Sequence, residues 1–152
     1  MSFEEYLQAN GHLTYPIVGV SMLPLLRQDR DVVSVERKTA ARCAPGDVVL
    51  YRRGGRYVLH RVIAVRPEDY VILGDNCAAK EYGTTDADIL GVMSGFIRNG
   101  REHRVEEPGY RLYTWWMLHF IGPRIALKSL WRRCRSLAGR CLRRLGWRRG
   151  KT

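Results

Sequence analysis

Four side chains carry most of the chemistry open to this sequence: Ser21, His60, Asp75 and Glu81. Ser21 lies in Gly19-Val20-Ser21-Met22-Leu23-Pro24, turn residues that follow an apolar run and can present a hydroxyl at a strand's end. A serine hydroxyl is a poor nucleophile until a neighbouring base removes its proton. His60, in Tyr57-Val58-Leu59-His60-Arg61-Val62-Ile63, is a candidate base, because its ordinary pKa of about 6.5 allows a neutral ring at pH 7. Arg61 cannot replace it, since a guanidinium does not deprotonate in proteins. A neutral imidazole that works through one nitrogen needs the proton on the other one held, usually by a carboxylate. Asp75, in Gly74-Asp75-Asn76, and Glu81 are both available. Each residue also has an ordinary role to set beside this one: Ser21 and Asp75 as turn formers, His60 as a solvent-facing strand residue.

The elements that would position these groups are short and mostly β. Tyr15 to Val20, Asp31 to Glu36, Val48 to Tyr51, Tyr57 to Val65, Tyr70 to Leu73 and Ile89 to Ile97 are rich in β-branched residues. Turn residues bound them, among them Pro45-Gly46-Asp47 and an expected hairpin tip at Arg52-Arg53-Gly54-Gly55-Arg56. No helical pattern separates the runs, which favours a mainly β domain. Ser2-Phe3-Glu4-Glu5 reads as a capping box that opens a short helix to about Ala9.

Taken in order, the Ser21 stretch, the His60 strand and the Gly74-Asp75-Asn76 turn resemble the type I signal peptidase family of serine peptidases. The likeness spans residues 17–98 and includes the Pro45-Gly46-Asp47-Val48-Val49 turn. It implies a small signal-peptidase-like β domain in which Ser21 is the nucleophile and His60 the base. Bacterial members usually carry a Lys immediately before the strand's Arg, whereas archaeal and endoplasmic-reticulum members carry a His, as this chain does before Arg61. The His-using branch has its triad Asp where Glu81 stands here, so the resemblance favours Glu81 as the orienting carboxylate and Asp75 as a support. Met22, Pro24, Arg61, Gly74 and Asn76 fall at motif positions that would shape the site. Two departures stand out. Gly19 occupies a place where the family often has a hydroxyl donor to the oxyanion, and Cys77, after Asn76, has no assigned role. The resemblance implies neither metal nor cofactor.

The chain has 152 residues and a formal net charge of +11, but that charge is not spread evenly. Residues 1–100 hold 12 basic and 12 acidic side chains, whereas residues 108–152 hold 12 basic ones and no acidic one. The expected organisation is therefore a near-neutral β domain over 1–107 and a basic tail over 108–152. Four Cys form no disulfide framework. The acidic start does not resemble an export signal.

From Leu127 the apolar residues Leu130, Trp131, Cys134, Leu137, Ala138, Cys141, Leu142 and Leu145 recur at intervals of three and four. That spacing predicts an amphipathic helix. Its other face carries Lys128, Arg132, Arg133, Arg135, Arg140, Arg143 and Arg144, too many cations to cross a bilayer. Tyr113-Thr114-Trp115-Trp116 precedes it in an apolar stretch too short to span. Residues 110–147 are thus expected to lie on a membrane surface as an interfacial or re-entrant anchor, the cytoplasmic face being slightly favoured by anionic lipid. The alternative is a helix packed on the β domain over an open sheet face. No nucleic acid partner is expected, because a basic arm needs no continuous apolar stripe.

Two activities fit these features. One is a serine endopeptidase that cleaves an extended signal- or leader-type segment near a membrane; the other is a non-catalytic peptide-binding scaffold that keeps the fold. A nucleic-acid-associated autoprotease ranks last, since no helix-turn-helix stretch precedes the β region.

Overall fold

The computed structural model describes residues 2–144, with side chains described to Trp131 and at Cys134. The chain is mainly β. Its elements run α1 (Phe3–Asn10), β1 (His12–Pro16), β2 (Asp31–Arg37), β3 (Val48–Arg53), β4 (Arg56–Val65), β5 (Tyr70–Leu73), β6 (Glu81–Thr84), β7 (Ile89–Arg98), β8 (Arg101–Arg104), α2 (Pro108–His119) and α3 (Ile121–Arg144). One antiparallel sheet holds all eight strands in the order β1-β2-β7-β3-β4-β5-β6, with β8 paired to β7.

Local sequence explains the elements. Ser2 caps α1: its hydroxyl accepts from the Glu5 N–H while the Glu5 carboxylate accepts from the Ser2 N–H, which satisfies two otherwise orphaned donors. The run Val48-Val49-Leu50-Tyr51 is continuously apolar because β3 is buried on both faces. Val48 and Leu50 join a core with Leu7, Leu26, Val33, Val35 and Phe96. Val49 and Tyr51 join a second core with Cys43, Val62, Tyr70 and Ile72. The β3–β4 turn is tighter than expected, since Arg53 and Arg56 pair directly across Gly54 and Gly55, both at positive φ.

Three differences from the sequence expectation concern the site. The first strand ends at Pro16, and Ile17 to Val20 leave the sheet. Strand β6 was not expected, because Glu81-Tyr82-Gly83-Thr84 has neither an apolar run nor alternation. The third difference is the boundary at residue 107. The first compact unit runs to His119 and the second starts at Phe120. Counting charge places the break too early because α2 is held to the β domain by uncharged groups. Met117 is buried, and Tyr110, Tyr113 and Thr114 reach the Arg61–Asp75 pair. Residues 110–119 of the expected membrane anchor therefore pack on the β domain through this face, while Leu112, Trp115 and Trp116 remain exposed.

In the second unit, α3 is one helix of 24 residues. Gly122 and Pro123 fall in its first turn, where a missing N–H costs no helix bond. Leu127, Leu130, Trp131 and Cys134 are all exposed. The side chains of Leu137, Ala138, Cys141 and Leu142 in the expected stripe, and Leu145 altogether, lie outside the described residues. No helix among the described residues is long and apolar enough to cross a membrane.

Candidate active site

Ser21 stands in the loop between β1 and β2. Buried Met22, Leu25 and Leu26 root this loop in the core, and the Leu26 N–H donates to the Met22 carbonyl at 2.9 Å. Gly19 has φ +89°, a left-handed conformation open to glycine, and its N–H donates to Gln28 Oε1 at 2.7 Å. Pro24 is exposed and follows a cis peptide bond.

The Gly74-Asp75-Asn76 turn, at the end of β5, clasps this loop from the other side. The Asn76 N–H donates to the Ser21 carbonyl at 2.7 Å, and its side-chain amide donates to the Val20 carbonyl at 3.0 Å. A Cβ built on Gly74 would lie 2.9 Å from the Ser21 carbonyl oxygen, 2.9 Å from His60 Nε2 and 2.7 Å from Cys77 Sγ. Gly74 is thus the space in which these three groups converge, and the Ser21 carbonyl and His60 Nε2 lie at most twice 2.9 Å apart. No hydrogen bond joins the Ser21 hydroxyl to His60 among the described residues.

Strand β4 sends His60 and Arg61 to opposite faces, as neighbours in a strand must. His60 points to the face of Tyr51. Its Nδ1 lies 3.0 Å from Glu81 Oε1 and 3.3 Å from the Tyr51 hydroxyl, which in turn donates to Glu81 Oε2 at 2.5 Å. Arg53, from the hairpin end of β3, forms an ion pair with the same carboxylate. Two acceptors at Nδ1 favour the tautomer protonated there, which leaves a lone pair on Nε2 directed at the Gly74 space.

Electrostatics fit this tautomer. Burial pushes the His60 pKa below its ordinary value, and it outweighs the opposing pull of Glu81. Burial also resists charge on Glu81, but hydrogen bonds from Arg53 and Tyr51 and the nearby imidazole prevail and hold its carboxyl below the usual range. A neutral imidazole beside an ionised carboxylate is the ground state that a general base requires.

Asp75 is engaged elsewhere. Both of its oxygens take the Arg61 fork, at 2.9 and 2.8 Å, and Tyr113 donates to one of them at 2.9 Å. Arg61 also donates to the Gly46 carbonyl at 2.7 Å and to Thr114 at 3.1 Å. Burial opposes the Arg61 charge, yet the Asp75 carboxylate raises its pKa further above the ordinary value. The pair therefore locks the Gly74–Asn76 turn to β4, and Glu81 is the carboxylate at His60.

Sequence reasoning did not pick out Tyr51, Arg53, Tyr110, Tyr113 or Thr114. Tyr51 ends an apolar run and Arg53 starts a hairpin turn, so only the register Tyr51↔Val58 across the strand pair shows their proximity to His60. Among the described residues no group of three or more His, Cys, Asp or Glu is arranged to hold a metal ion. Compared with protein-family models, curated proteins and solved structures, the chain matches none.

Proposed function

We propose that this chain is a serine endopeptidase that works through Ser21, His60 and Glu81. The observation that carries this reading is the division of labour at the imidazole: Nδ1 rests on Glu81 while Nε2 faces the Gly74 position, which the Ser21 carbonyl also borders. In the proposed reaction Nε2 removes the Ser21 hydroxyl proton as the oxygen attacks the scissile carbonyl. Glu81 stabilises the imidazolium that forms. The imidazolium then protonates the leaving amine, and water resolves the acyl-enzyme by the same base. With no side chain at Gly19, the Ser21 backbone N–H is the donor proposed for the oxyanion.

An extended peptide is the substrate class that fits. Val18 is 80% exposed and Val20 62% exposed, an apolar approach directly before the nucleophile, and β1 lies at an end of the sheet order. Such an edge can accept another strand through backbone hydrogen bonds. The exposed Leu127, Leu130 and Trp131 on a helix rich in Arg and Lys support contact with an anionic membrane surface, which would concentrate the enzyme on membrane-inserted leader segments. The direct test is labelling by a fluorophosphonate probe. Covalent labelling is expected at Ser21, and it should vanish in Ser21→Ala and fall sharply in His60→Ala.

A second reading, a peptide-binding scaffold without catalysis, is favoured by one observation: the Ser21 hydroxyl has no hydrogen bond to His60. Leader-peptide binding that survives Ser21→Ala, with no cleavage and no probe labelling in the parent chain, would select it.

A further inference from the structure

The proposed peptidase leaves Cys77 unused, yet its sulfur shares the Gly74 space with the base. Sγ lies 2.7 Å and His60 Nε2 2.9 Å from the position a Gly74 Cβ would take. Gly74 does not have a left-handed backbone, so what its missing side chain provides is room for the thiol against the imidazole. The His60 side chain is only 7% exposed, and both of its hydrogen-bond partners sit at Nδ1, which leaves Nε2 aimed into this space. Cys77 is half-buried rather than sealed, unlike Cys43, which is 6% exposed.

We propose that Cys77 is a modification site: a thiol that His60 activates for exchange with small disulfides, whose adduct crowds His60 Nε2 and closes the site. The exchange itself depends only on the thiol–imidazole geometry, while the closure rests on the peptidase reading. In the exchange, Nε2 accepts the thiol proton and the Cys77 sulfur attacks one sulfur of the small disulfide. That S–S bond breaks as the new one forms. The leaving half departs as a thiolate and takes the proton from the imidazolium. Cys77 sulfur is oxidised, the departing half is reduced, and excess thiol reverses the reaction. A neighbouring histidine and partial exposure are among the features that separate a reactive thiol from an inert structural one.

The test treats the full chain at pH 7 with 2-hydroxyethyl disulfide and follows each cysteine by peptide mapping and mass spectrometry. An adduct is expected at Cys77, reversed by dithiothreitol, and its rate should fall about tenfold in His60→Gln while the rate at exposed Cys134 stays unchanged. No adduct at Cys77 in the parent chain, or an unchanged rate in His60→Gln, overturns the exchange. Fluorophosphonate labelling of the parent chain reads the closure without needing any variant to fold: it should be lost in the adduct and return on reduction. Labelling in Cys77→Ser should be insensitive to the disulfide. Labelling of the adduct at the reduced chain's rate overturns the closure. If the reduced parent takes no probe, the peptidase reading and the closure fall together, and the exchange is judged by mass spectrometry alone.

Discussion

Arg61 and Asp75 each adjoin a site residue in the chain, Arg61 following His60 and Asp75 following Gly74. Their two-pronged ion pair, with both side chains 1% exposed, therefore fixes the distance between the base and the turn that holds Ser21. Tyr113 and Thr114 extend that lock into α2, so the helix bears on the site through this pair.

Breaking this pair should cost folding stability before it costs chemistry. Removing one partner of a buried ion pair leaves an uncompensated charge and typically costs about 3–5 kcal/mol. Asp75→Asn is expected to lower the melting temperature markedly, measured by thermal denaturation. Tyr113→Phe should cost about 1.5–3 kcal/mol, the usual worth of one hydrogen bond to a charged group.

Glu81→Gln has the opposite profile. The carboxylate is a partly exposed member of the site, so the fold should survive. Probe labelling of Ser21 should fall by about 10²–10⁴-fold, because the amide cannot stabilise the imidazolium and can impose the wrong tautomer. Tyr51→Phe removes one donor to the ionised Glu81 and should give a smaller loss, about 10- to 100-fold, since a hydrogen bond to a charged group is worth about 1.5–3 kcal/mol. Equal losses in the two variants would argue against Glu81 as the orienting group.

The pH dependence of labelling follows from His60. Burial depresses its pKa, so the active neutral ring persists to lower pH than for a free histidine. Labelling should rise with pH through a midpoint below 6.5 and then level off. Glu81 favours the protonated ring, so Glu81→Gln should move that midpoint further down while lowering the plateau. Rates measured across pH 4–9 in a constant-ionic-strength buffer check both shifts.

Acid stability rests in part on Asp31. It is buried, accepts from Arg30, Arg98 and the Arg27 N–H, and these partners outweigh the burial that opposes its charge and hold its pKa below the ordinary carboxylate value of 3.8. A depressed carboxylate contributes stability above its unfolded pKa and loses that contribution as pH falls through the folded one. Urea unfolding should therefore show stability declining below about pH 4, and Asp31→Asn should flatten that decline while lowering stability at pH 7.

Membrane contact through α3 has its own test. Trp131→Glu with Leu130→Glu places charge on the exposed apolar side and should weaken co-sedimentation with anionic vesicles by about tenfold or more, while leaving Ser21 labelling in detergent-free buffer unchanged. Binding that is unaffected would place the membrane surface elsewhere.

Much of the fold was legible because burial imposes a pattern on it. The run Val48 to Tyr51 announces a strand covered on both faces, and Ser2 with Glu5 announces a helix start. Strands β6 and β8 were illegible, since Glu81–Thr84 and Arg101–Arg104 are polar pieces whose pairing comes from their neighbours. At the site, the residue types fixed which groups could act as nucleophile and base. The choice between Asp75 and Glu81 depended on which face of β4 each one meets, and alternation along a strand decides that only once the register is known. Charge counting separated the tail too early because tyrosine and threonine hydroxyls, which hold α2 to Arg61, carry no charge to count.

Ser21 follows the strand at one end of the sheet order, while Glu81 opens the strand at the other end. His60, on β4, meets Glu81 through Nδ1 and faces the Ser21 carbonyl across the Gly74 position, so the three groups assemble only when β1, β4 and β6 are all in place. Loss of either outermost strand would spare most of the apolar interior yet scatter the reacting groups. Probe reactivity thus reports on completion of the whole sheet, and partly folded or clipped chains should be inert rather than loosely proteolytic.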